Sequence, residues 1–325
     1  MPKKSFIIDE KDRKILEELD YNARQTDSEI AKKVGLSKQV VNYRIKDLIK
    51  KGIIMNFYTI VNTGHFGLDS FYVFLQLENI NKDQEIALLN KLNSLDFVGW
   101  MVSSMGKWDA VLLVNAPSVS KFESFLEKII SICGKYLHDY MITTLVTAEH
   151  IGYKAVGDKP YLSGIKQTER ISSIKLDIID KKILQEISQN SRLPITEISF
   201  KTKIPIHVIK YHLKNLIKNK IILAFKPQIS VHKLGYQWHL LLIRLKPSDE
   251  KRKKDLLEFC KNNKKIYYIT NSIGSYNIML DIHVDNVEEF KEVLLNIKEK
   301  FSDIIRDYES MIIFEEYKIN YLPEL

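Results

Sequence analysis

One stretch of the sequence, Leu36 to Ile54, combines side chains suited to nucleic acid with the spacing of an amphipathic helix. Its apolar residues recur at helical spacing, which predicts a buried face made of Val40, Val41, Ile45, Leu48 and Ile49. The positions between them hold amides and cations, the groups that bond base edges and neutralise phosphates. With the capping serine, this outward set is Ser37, Lys38, Gln39, Asn42, Tyr43, Arg44 and Lys46. We therefore predict a DNA-recognition helix that starts after Ser37 and ends at Gly52.

Different roles within this set follow from side-chain chemistry. Gln39 and Asn42 could form paired hydrogen bonds with adenine, and Arg44 or Lys38 could reach guanine. Lys46 is better suited to phosphate, which adds affinity but little sequence information. Tyr43 either bonds phosphate or braces the helix, and the sequence leaves both roles open.

The same stretch returns 168 positions later, because Ile204 to Ile222 repeats its pattern. The offset holds without a gap, so that Gly106 matches Gly274. A period of this length is too long for a solenoid and indicates one two-domain unit written twice. The second outward set is His207, Lys210, Tyr211, His212 and Lys214. Pro205 replaces Ser37, and Lys203 and Lys220 replace Gly35 and Gly52, so we do not expect both halves to read DNA equally.

Each unit reads as three helices and a strand pair, which make a winged helix-turn-helix, followed by the order β-α-β-β-α-β. The predicted fold class is α+β, with two winged helix-turn-helix domains and two ferredoxin-like domains arranged as an internal pseudo-dimer. The predicted domain limits are 1–61 and 174–229 for the helix-turn-helix domains, and 62–153 and 230–325 for the ferredoxin-like domains. Residues 154–173 are polar, contain glycine and proline, and are predicted to be a linker.

Composition sets broad limits on function. The net charge of +8 favours an anionic partner such as nucleic acid, although charge alone is weak evidence. No apolar run is long enough for a bilayer and no signal core begins the sequence, so we expect a cytoplasmic protein without a membrane partner. Cys133 and Cys260 are not equivalent in the repeat, which argues against a disulfide framework. No catalytic motif or metal-ligand spacing is present, and we predict no enzyme activity, metal or cofactor.

The motifs as a set resemble the Lrp/AsnC family of transcription regulators, and the resemblance covers nearly all of the chain, once per half. It rests on Asp9, Asp12, Ile15-Leu16, Glu29-Ile30-Ala31, Gly35-Leu36-Ser37, Arg44-Ile45, Leu48, Gly52-Ile53-Ile54, Leu68, Gly106 and Asp109. The family implies that the helix-turn-helix binds double-stranded DNA and that the sheet domain, the regulator-of-amino-acid-metabolism (RAM) domain, pairs with a second copy. One chain would then be a covalent version of a homodimer, with further homo-oligomerisation left open. We call the two helix-turn-helix domains the heads. Because the two heads differ in sequence, we expect their DNA target to be an imperfect palindrome.

The resemblance also implies a small effector, often an amino acid, near the hairpin turns of the sheet domains. The corresponding residues are Gly106, Lys107, Trp108 and Asp109 in the first half and Gly274, Ser275, Tyr276 and Asn277 in the second. The alternative is a hairpin that needs glycine only for its backbone conformation, and packing is the favoured role for Trp100 and Trp108. Asn277 in place of Asp109 argues against equal effector binding by both halves.

Two other functions remain open from the sequence. Siroheme decarboxylases share this architecture, including fused two-half forms, and we expect basic and imidazole side chains in their hairpins. Neither hairpin here contains histidine; the turns offer Ser103, Ser104, Lys107, Asn271, Ser272 and Ser275. A non-specific, chromatin-like DNA binder is the third possibility, and it is distinguished by binding that ignores sequence and weakens steeply with salt.

Overall fold

The computed structural model describes residues 6–153, 156–157, 165–167, 175–247 and 250–322. The first half contains α1 (Glu10–Tyr21), α2 (Asp27–Val34), α3 (Lys38–Lys50), β1 (Ile54–Val61), β2 (Asp69–Leu77), α4 (Lys82–Asn93), β3 (Val98–Met105), β4 (Ala110–Ala116), α5 (Val119–Cys133) and β5 (Leu137–His150). This order, repeated in the second half, is the α+β pattern that the sequence predicts. Most of the predicted linker lies outside the described residues, but 165–167 form a short strand, β6 (Ile165–Gln167), that pairs with β5.

The second half contains α6 (Ile178–Gln189), α7 (Ile195–Thr202), α8 (Ile206–Lys218), β7 (Ile222–Ile229), β8 (Gln237–Leu245), α9 (Glu250–Asn262), β9 (Ile266–Gly274), β10 (Ile278–Val284), α10 (Val287–Phe301) and β11 (Ile305–Ile319). Each element follows its first-half equivalent in the same order. None of the helices in the described part of the chain combines the length and apolar character needed to cross a bilayer.

The helix caps of the first half are those expected from the sequence. The Ser37 side chain accepts a hydrogen bond from the Val40 N–H, and Thr26 forms a capping box with Glu29. The predicted burial of two residues is wrong, however, because Val40 is 39% exposed and Ile49 is 45% exposed. The buried stripe of α3 is narrower than predicted, since a short three-helix head covers only one side of this helix.

The wing strands join the two halves. β1 pairs antiparallel with β7 of the other half, and together they form a two-stranded sheet. Tyr58 lies opposite Lys226, its own equivalent in the repeat, so the pseudo-twofold axis passes between these two residues. The strand pair expected within each winged domain is therefore completed by the other half.

The two ferredoxin-like domains share a single closed sheet. The strand order is β2-β4-β3-β11-β8-β10-β9-β5, and β5 returns to pair with β2. The closing strand of each half pairs with the other half, since β11 pairs with β3 and β5 pairs with β9. Helices α4 and α5 pack on one part of the outer face, and α9 and α10 on another. Closure removes the free edges of both sheets and fixes the halves against each other.

Candidate nucleic-acid interface

Helix α3 presents a polar face to solvent. Lys38, Gln39 and Lys46 are exposed, as is the capping residue Ser37, and the Tyr43 ring is 71% exposed. These side chains are positioned because Val41, Ile45 and Leu48 bury the opposite side of the helix. Tyr43 is thus free to contact a ligand, and the bracing role that the sequence left open for it does not fit this exposure.

Two residues assigned to base reading are instead engaged within the first head. The Arg44 guanidinium donates to Asp9 and Asp12 of α1, with both N–O distances 2.7 Å. The Asn42 amide donates to Asp27 of α2 at 2.8 Å. Because these contacts hold both side chains against the neighbouring helices, we propose that Arg44 and Asn42 position α3 rather than read bases.

Helix α8 presents the equivalent face in the second half. His207, Lys210 and Lys214 are exposed, and Tyr211 is 64% exposed. His212, which the sequence places in the reading set, lies 2.8 Å from Asp180 through its Nδ1 atom and is half-buried. It occupies the position equivalent to Arg44 and braces α8 against α6 in the same way.

The turns that flank α8 differ in residue type but not in conformation from those that flank α3. Lys203 and Lys220 adopt φ values of 61° and 56°, in the left-handed region that Gly35 and Gly52 occupy in the first half. Side chains other than glycine adopt this region at a cost of about 1–2 kcal/mol. The second head thus keeps the geometry of the first at some expense in stability.

Reciprocal contacts lock the two heads together. Arg24 donates to the carbonyl of Ser191 and Arg192 donates to the carbonyl of Ala23, each at 2.6 Å. Arg192 also pairs with Asp27 at 2.7 Å, a contact that Arg24 does not reproduce, because its equivalent partner position is Ile195. Burial lowers the pKa of both guanidinium groups, although Asp27 partly offsets this for Arg192.

The Lys226 ammonium group adds a buried ion pair on the pseudo-twofold axis. It lies 2.6 Å from the carbonyl and 3.1 Å from the carboxylate of Asp20 in the other half. Burial lowers the pKa of Lys226 to about 8, because removing the ammonium from water penalises its charge more than Asp20 compensates.

The polar groups of the hairpin turns are used within the fold. Asp109 and Asn277 each accept a hydrogen bond from the end of a neighbouring strand, through the N–H of Leu77 and of Leu245. Trp108 is buried beside Phe74, and the exposed Lys107 ammonium lies 4.7 Å from the centre of the Trp108 ring. Ser275 accepts from Arg244, and Tyr276 donates to Glu309. These contacts show what each hairpin residue does structurally and leave the effector assignment as a prediction.

The turn glycines also have a packing role that sequence alone could not show. A Cβ atom on Gly106 would lie 3.2 Å from the Met311 side chain of β11, and one on Gly274 would lie 3.1 Å from the Ile142 carbonyl of β5. In each case the neighbour belongs to the other half. The hairpins therefore need glycine both for φ values of 151° and 136° and for close approach between the halves.

An interior cavity was missed by the sequence analysis. It encloses about 30 Å³ inside the closed sheet, beneath the paired wing strands. Aromatic rings form most of its wall, with two carboxyl groups between them: Tyr58, Tyr72, Trp100, Tyr267, Tyr268, Tyr321, Asp281 and Glu316. Trp100 lines this cavity rather than serving only as sheet packing. Comparison of the two copies could have found the carboxyl groups, since Leu113 and Ala148 occupy the equivalent positions.

Indole groups hold both carboxyl groups of the cavity. The Trp238 indole donates to Asp281 at 2.8 Å, and the Trp100 indole donates to Glu316 at 2.7 Å. The Gln228 amide, on wing strand β7, donates to Glu316 at 2.8 Å. Burial raises the pKa of Asp281 to about 7 and that of Glu316 to about 7, because their charged forms lose water. The cavity is thus connected directly to the strands that carry the DNA-binding heads.

The fold and the paired faces of α3 and α8 define a two-headed winged helix-turn-helix protein. A family model described as winged helix-turn-helix DNA-binding matches residues 8–55 and 176–222, once in each half. The HTH-type transcriptional regulator Ptr1 of Methanocaldococcus jannaschii is 33% identical over 124 residues, which span 38% of this chain and 82% of Ptr1. Among solved structures, the siroheme decarboxylase NirDL aligns with a TM-score of 0.62 and 15% identity, over 96% of this chain and 93% of NirDL. E. coli AsnC aligns at 25% identity with a TM-score of 0.36, over 43% of this chain and 93% of AsnC.

The similarities to NirDL and to Ptr1 support different conclusions. The likeness to NirDL concerns the fold, since 15% identity carries no function with it. The identity to Ptr1 extends over most of that regulator. The chain belongs to the Lrp/AsnC family of winged helix-turn-helix transcription regulators, with two copies of the family unit fused in one polypeptide.

Proposed function

We propose that this chain regulates transcription as a covalent pseudo-dimer, with α3 and α8 reading two different half-sites on double-stranded DNA. The observation that carries the proposal is the pair of exposed polar faces on heads that are locked together by Arg24 and Arg192. Because the heads share one rigid arrangement, the spacing of the two half-sites should be fixed.

Comparison of the two faces separates two roles. Tyr43 and Lys46 are matched by Tyr211 and Lys214, and these shared groups suit phosphates, which every site presents alike. Gln39 is replaced by His207, and Lys38 is replaced by the apolar Ile206. We assign base reading to these differing positions. The target is therefore an imperfect palindrome whose two halves differ in sequence.

The proposal is tested by capturing sheared source DNA on the immobilised protein at about 150 mM salt and sequencing what is retained. We expect enriched sites that contain two dissimilar half-sites at one spacing. Gln39→Ala should relax the preference in one half-site, and the matched variant His207→Ala should relax it in the other. Captured DNA without a shared motif would contradict sequence-specific binding and would favour the chromatin-like alternative. Affinity that changes with salt but not with DNA sequence would lead to the same conclusion.

An amino-acid effector at the hairpin turns stays a proposal from the family resemblance. It involves Gly106 to Asp109 in the first half and Gly274 to Asn277 in the second. Calorimetric titration of the whole chain with each amino acid tests it, and Lys107→Ala should weaken any binding at the first turn. If no amino acid produces binding heat, the hairpins have only the structural role described above.

We infer that the chain does not act as a siroheme decarboxylase. Neither hairpin turn contains histidine, and the interior cavity of about 30 Å³ is too small for a large ligand; the clefts of about 1030 and 510 Å³ lie outside the hairpin turns. The fold similarity over the whole chain is the observation that keeps the enzyme as a second candidate. Absorbance spectra after siroheme is added provide the test, and a stoichiometric shift of the siroheme bands would contradict our inference.

A further inference from the structure

The interior cavity holds two carboxyl groups without a described positive partner. Asp281 is 6% exposed, and its described contacts are with the Trp238 indole and the electrostatic field of Glu316. Lys226, the buried cation nearby, is held by Asp20. His150 also lines the cavity, but burial lowers its pKa to about 3, so the imidazole is uncharged at neutral pH. Within the described residues, no lysine or arginine forms an ion pair with either carboxyl group.

Two tyrosine hydroxyl groups in the cavity wall add unused polar capacity. Tyr58 and Tyr267 are 2% and 8% exposed, and both line the cavity. None of the hydrogen bonds among the described residues uses either hydroxyl; neither is a fully enclosed unpaired atom, so each keeps accessible surface, and both residues line the cavity. Buried polar groups are normally satisfied, so unsatisfied hydroxyls beside carboxyl groups point to a small polar occupant.

The fold itself does not require carboxyl groups at these positions. Asp281 and Glu316 correspond to Leu113 and Ala148 in the first half, where the same strands form the same sheet. Burying an unpaired carboxyl group costs free energy, and apolar residues are evidently compatible with this geometry. The second half therefore carries two buried acids at positions where the first half forms the same sheet without them.

We propose that the interior cavity binds a small primary ammonium ion, with the ammonium group between Asp281 and Glu316 and its carbon against the aromatic wall. A cation satisfies the carboxyl charge, and aromatic faces attract cations. A single water requires about 10–15 Å³ of cavity space, so about 30 Å³ accommodates two water-sized groups, as in methylammonium. The site is separate from the hairpin turns and does not depend on DNA binding.

Binding is coupled to protons. The titratable groups that line the cavity with Asp281 are Glu316 on β11, His150 on β5, Tyr58 on β1, Tyr72 on β2, Tyr267 and Tyr268 on β9, Tyr153 and Tyr321, with the Lys226–Asp20 pair behind them. Because burial raises the pKa of Asp281 to about 7, part of the protein carries a neutral carboxyl group at neutral pH. A bound cation favours the ionised form, so affinity increases from pH 6 to pH 8 and binding releases protons.

The test is a titration of the whole chain with methylammonium chloride at pH 8, followed by tryptophan fluorescence and thermal unfolding. The fluorescence of Trp100 and Trp238 should respond to binding, because their indole N–H groups donate hydrogen bonds to Glu316 and Asp281. We expect a saturable signal that sodium, potassium and tetramethylammonium chlorides at equal ionic strength do not reproduce. Asp281→Asn keeps an acceptor for Trp238 and should weaken binding at least about tenfold. The surface variant Asp255→Asn is the matched control and should bind normally.

Equal responses to sodium, potassium or tetramethylammonium would overturn the proposal, as would unchanged binding by Asp281→Asn or no saturable response in the wild type. A second measurement needs no variant. Calorimetric titration of the wild-type chain at pH 7 in phosphate and in MOPS, two buffers without a primary amine and with different ionisation enthalpies, gives the number of protons released on binding. Release of a fraction of a proton or more supports carboxylate binding, and binding without release at this pH would contradict it.

Discussion

Asp281 and Glu316 place two carboxyl groups inside the closed sheet, and their effect on stability is opposite to that of most acidic residues. A paired surface carboxylate has a lowered pKa and stabilises the fold as pH rises, as Asp9 does through the N–H of Asp12 and through Arg44. Asp281 instead has a raised pKa, because burial penalises its charged form. Between about pH 4 and pH 7 the folded chain keeps this proton after the unfolded chain has released it, so stability falls as pH rises.

The direction of this pH dependence predicts how the stability of Asp281→Asn differs from that of the wild type. Relative to the wild type, the variant should gain stability as the pH is raised from about 4.5 to 7.5, by about 1.4 kcal/mol per pH unit at most. Thermal unfolding of both proteins across this range measures the difference, in which the shared titrating groups cancel except Glu316, whose charge interacts with that of Asp281. Asp255→Asn, on the surface, should follow the wild type. A wild-type minus variant difference that does not change with pH would show that Asp281 is ionised throughout.

The guanidinium of Arg44 could bond a base edge, but it is held by carboxylates of its own head. We predict that Arg44→Ala weakens binding to all DNA sites by a similar factor while the preferred sequence stays the same, because its guanidinium is held by Asp9 and Asp12. The head should lose about 1–2 kcal/mol of stability through the loss of charge-assisted hydrogen bonds. Binding to a panel of single-base variants of the selected site is the measurement. Loss of preference at one base would reinstate Arg44 as a reader.

At the scale of the element, α8 shows that the second head keeps its shape with less suitable residues. Its N-cap is Pro205, which makes no side-chain cap hydrogen bond, and the turns on both sides contain lysine in the left-handed region. The helix is maintained by burial of Ile209, Leu213 and Leu216 rather than by its ends. Tertiary packing therefore compensates for unfavourable local residues.

Replacing one of these lysines should stabilise the protein. We predict that Lys220→Gly increases the free energy of unfolding by about 0.5–1 kcal/mol, because relief of the left-handed conformation exceeds the added entropy of glycine. Lys218→Gly is the matched control; it lies two residues earlier in helical conformation and should lose up to about 1 kcal/mol. Denaturant unfolding of both variants checks this. Destabilisation by Lys220→Gly would mean that the lysine side chain has a role of its own.

At the scale of the whole molecule, two sets of reciprocal contacts join the halves. The closed sheet joins the ferredoxin-like domains, and the β1–β7 pair with the two arginines joins the heads. Such a molecule cannot move one head freely without breaking buried hydrogen bonds. The asymmetric contact between Arg192 and Asp27 makes one side of this connection stronger than the other.

The pair of arginines provides a comparison within one chain. We predict that Arg192→Ala destabilises the protein more than Arg24→Ala, by about 1–3 kcal/mol, since only Arg192 also pairs with Asp27. Both variants should bind sites of altered half-site spacing better than the wild type does. Thermal unfolding and binding to DNA with inserted base pairs measure the two effects. Equal loss of stability in both variants would mean that the Asp27 pair contributes nothing.

The sequence correctly indicated the order of elements, the duplication and the exposure of Gln39, Tyr43 and Lys46. These follow from periodicity, capping and the 168-residue offset, which are local properties that a chain shows without folding. The predicted burial of Val40 and Ile49 was wrong, because the fraction of α3 that is covered depends on the size of the surrounding head. The sequence also could not show that Arg44 and Asn42 have partners on other helices.

The sequence by itself determined that one two-domain unit occurs twice and that each copy carries an amphipathic recognition helix, since residue type and spacing are sufficient for both. Only the tertiary structure decided that the strand beside each head comes from the other half and that eight strands close into one sheet. Only the tertiary structure placed Asp281 and Glu316 beside Trp238 and Trp100. Strand partners and buried neighbours are distant along the chain, and no local pattern encodes which of them meet.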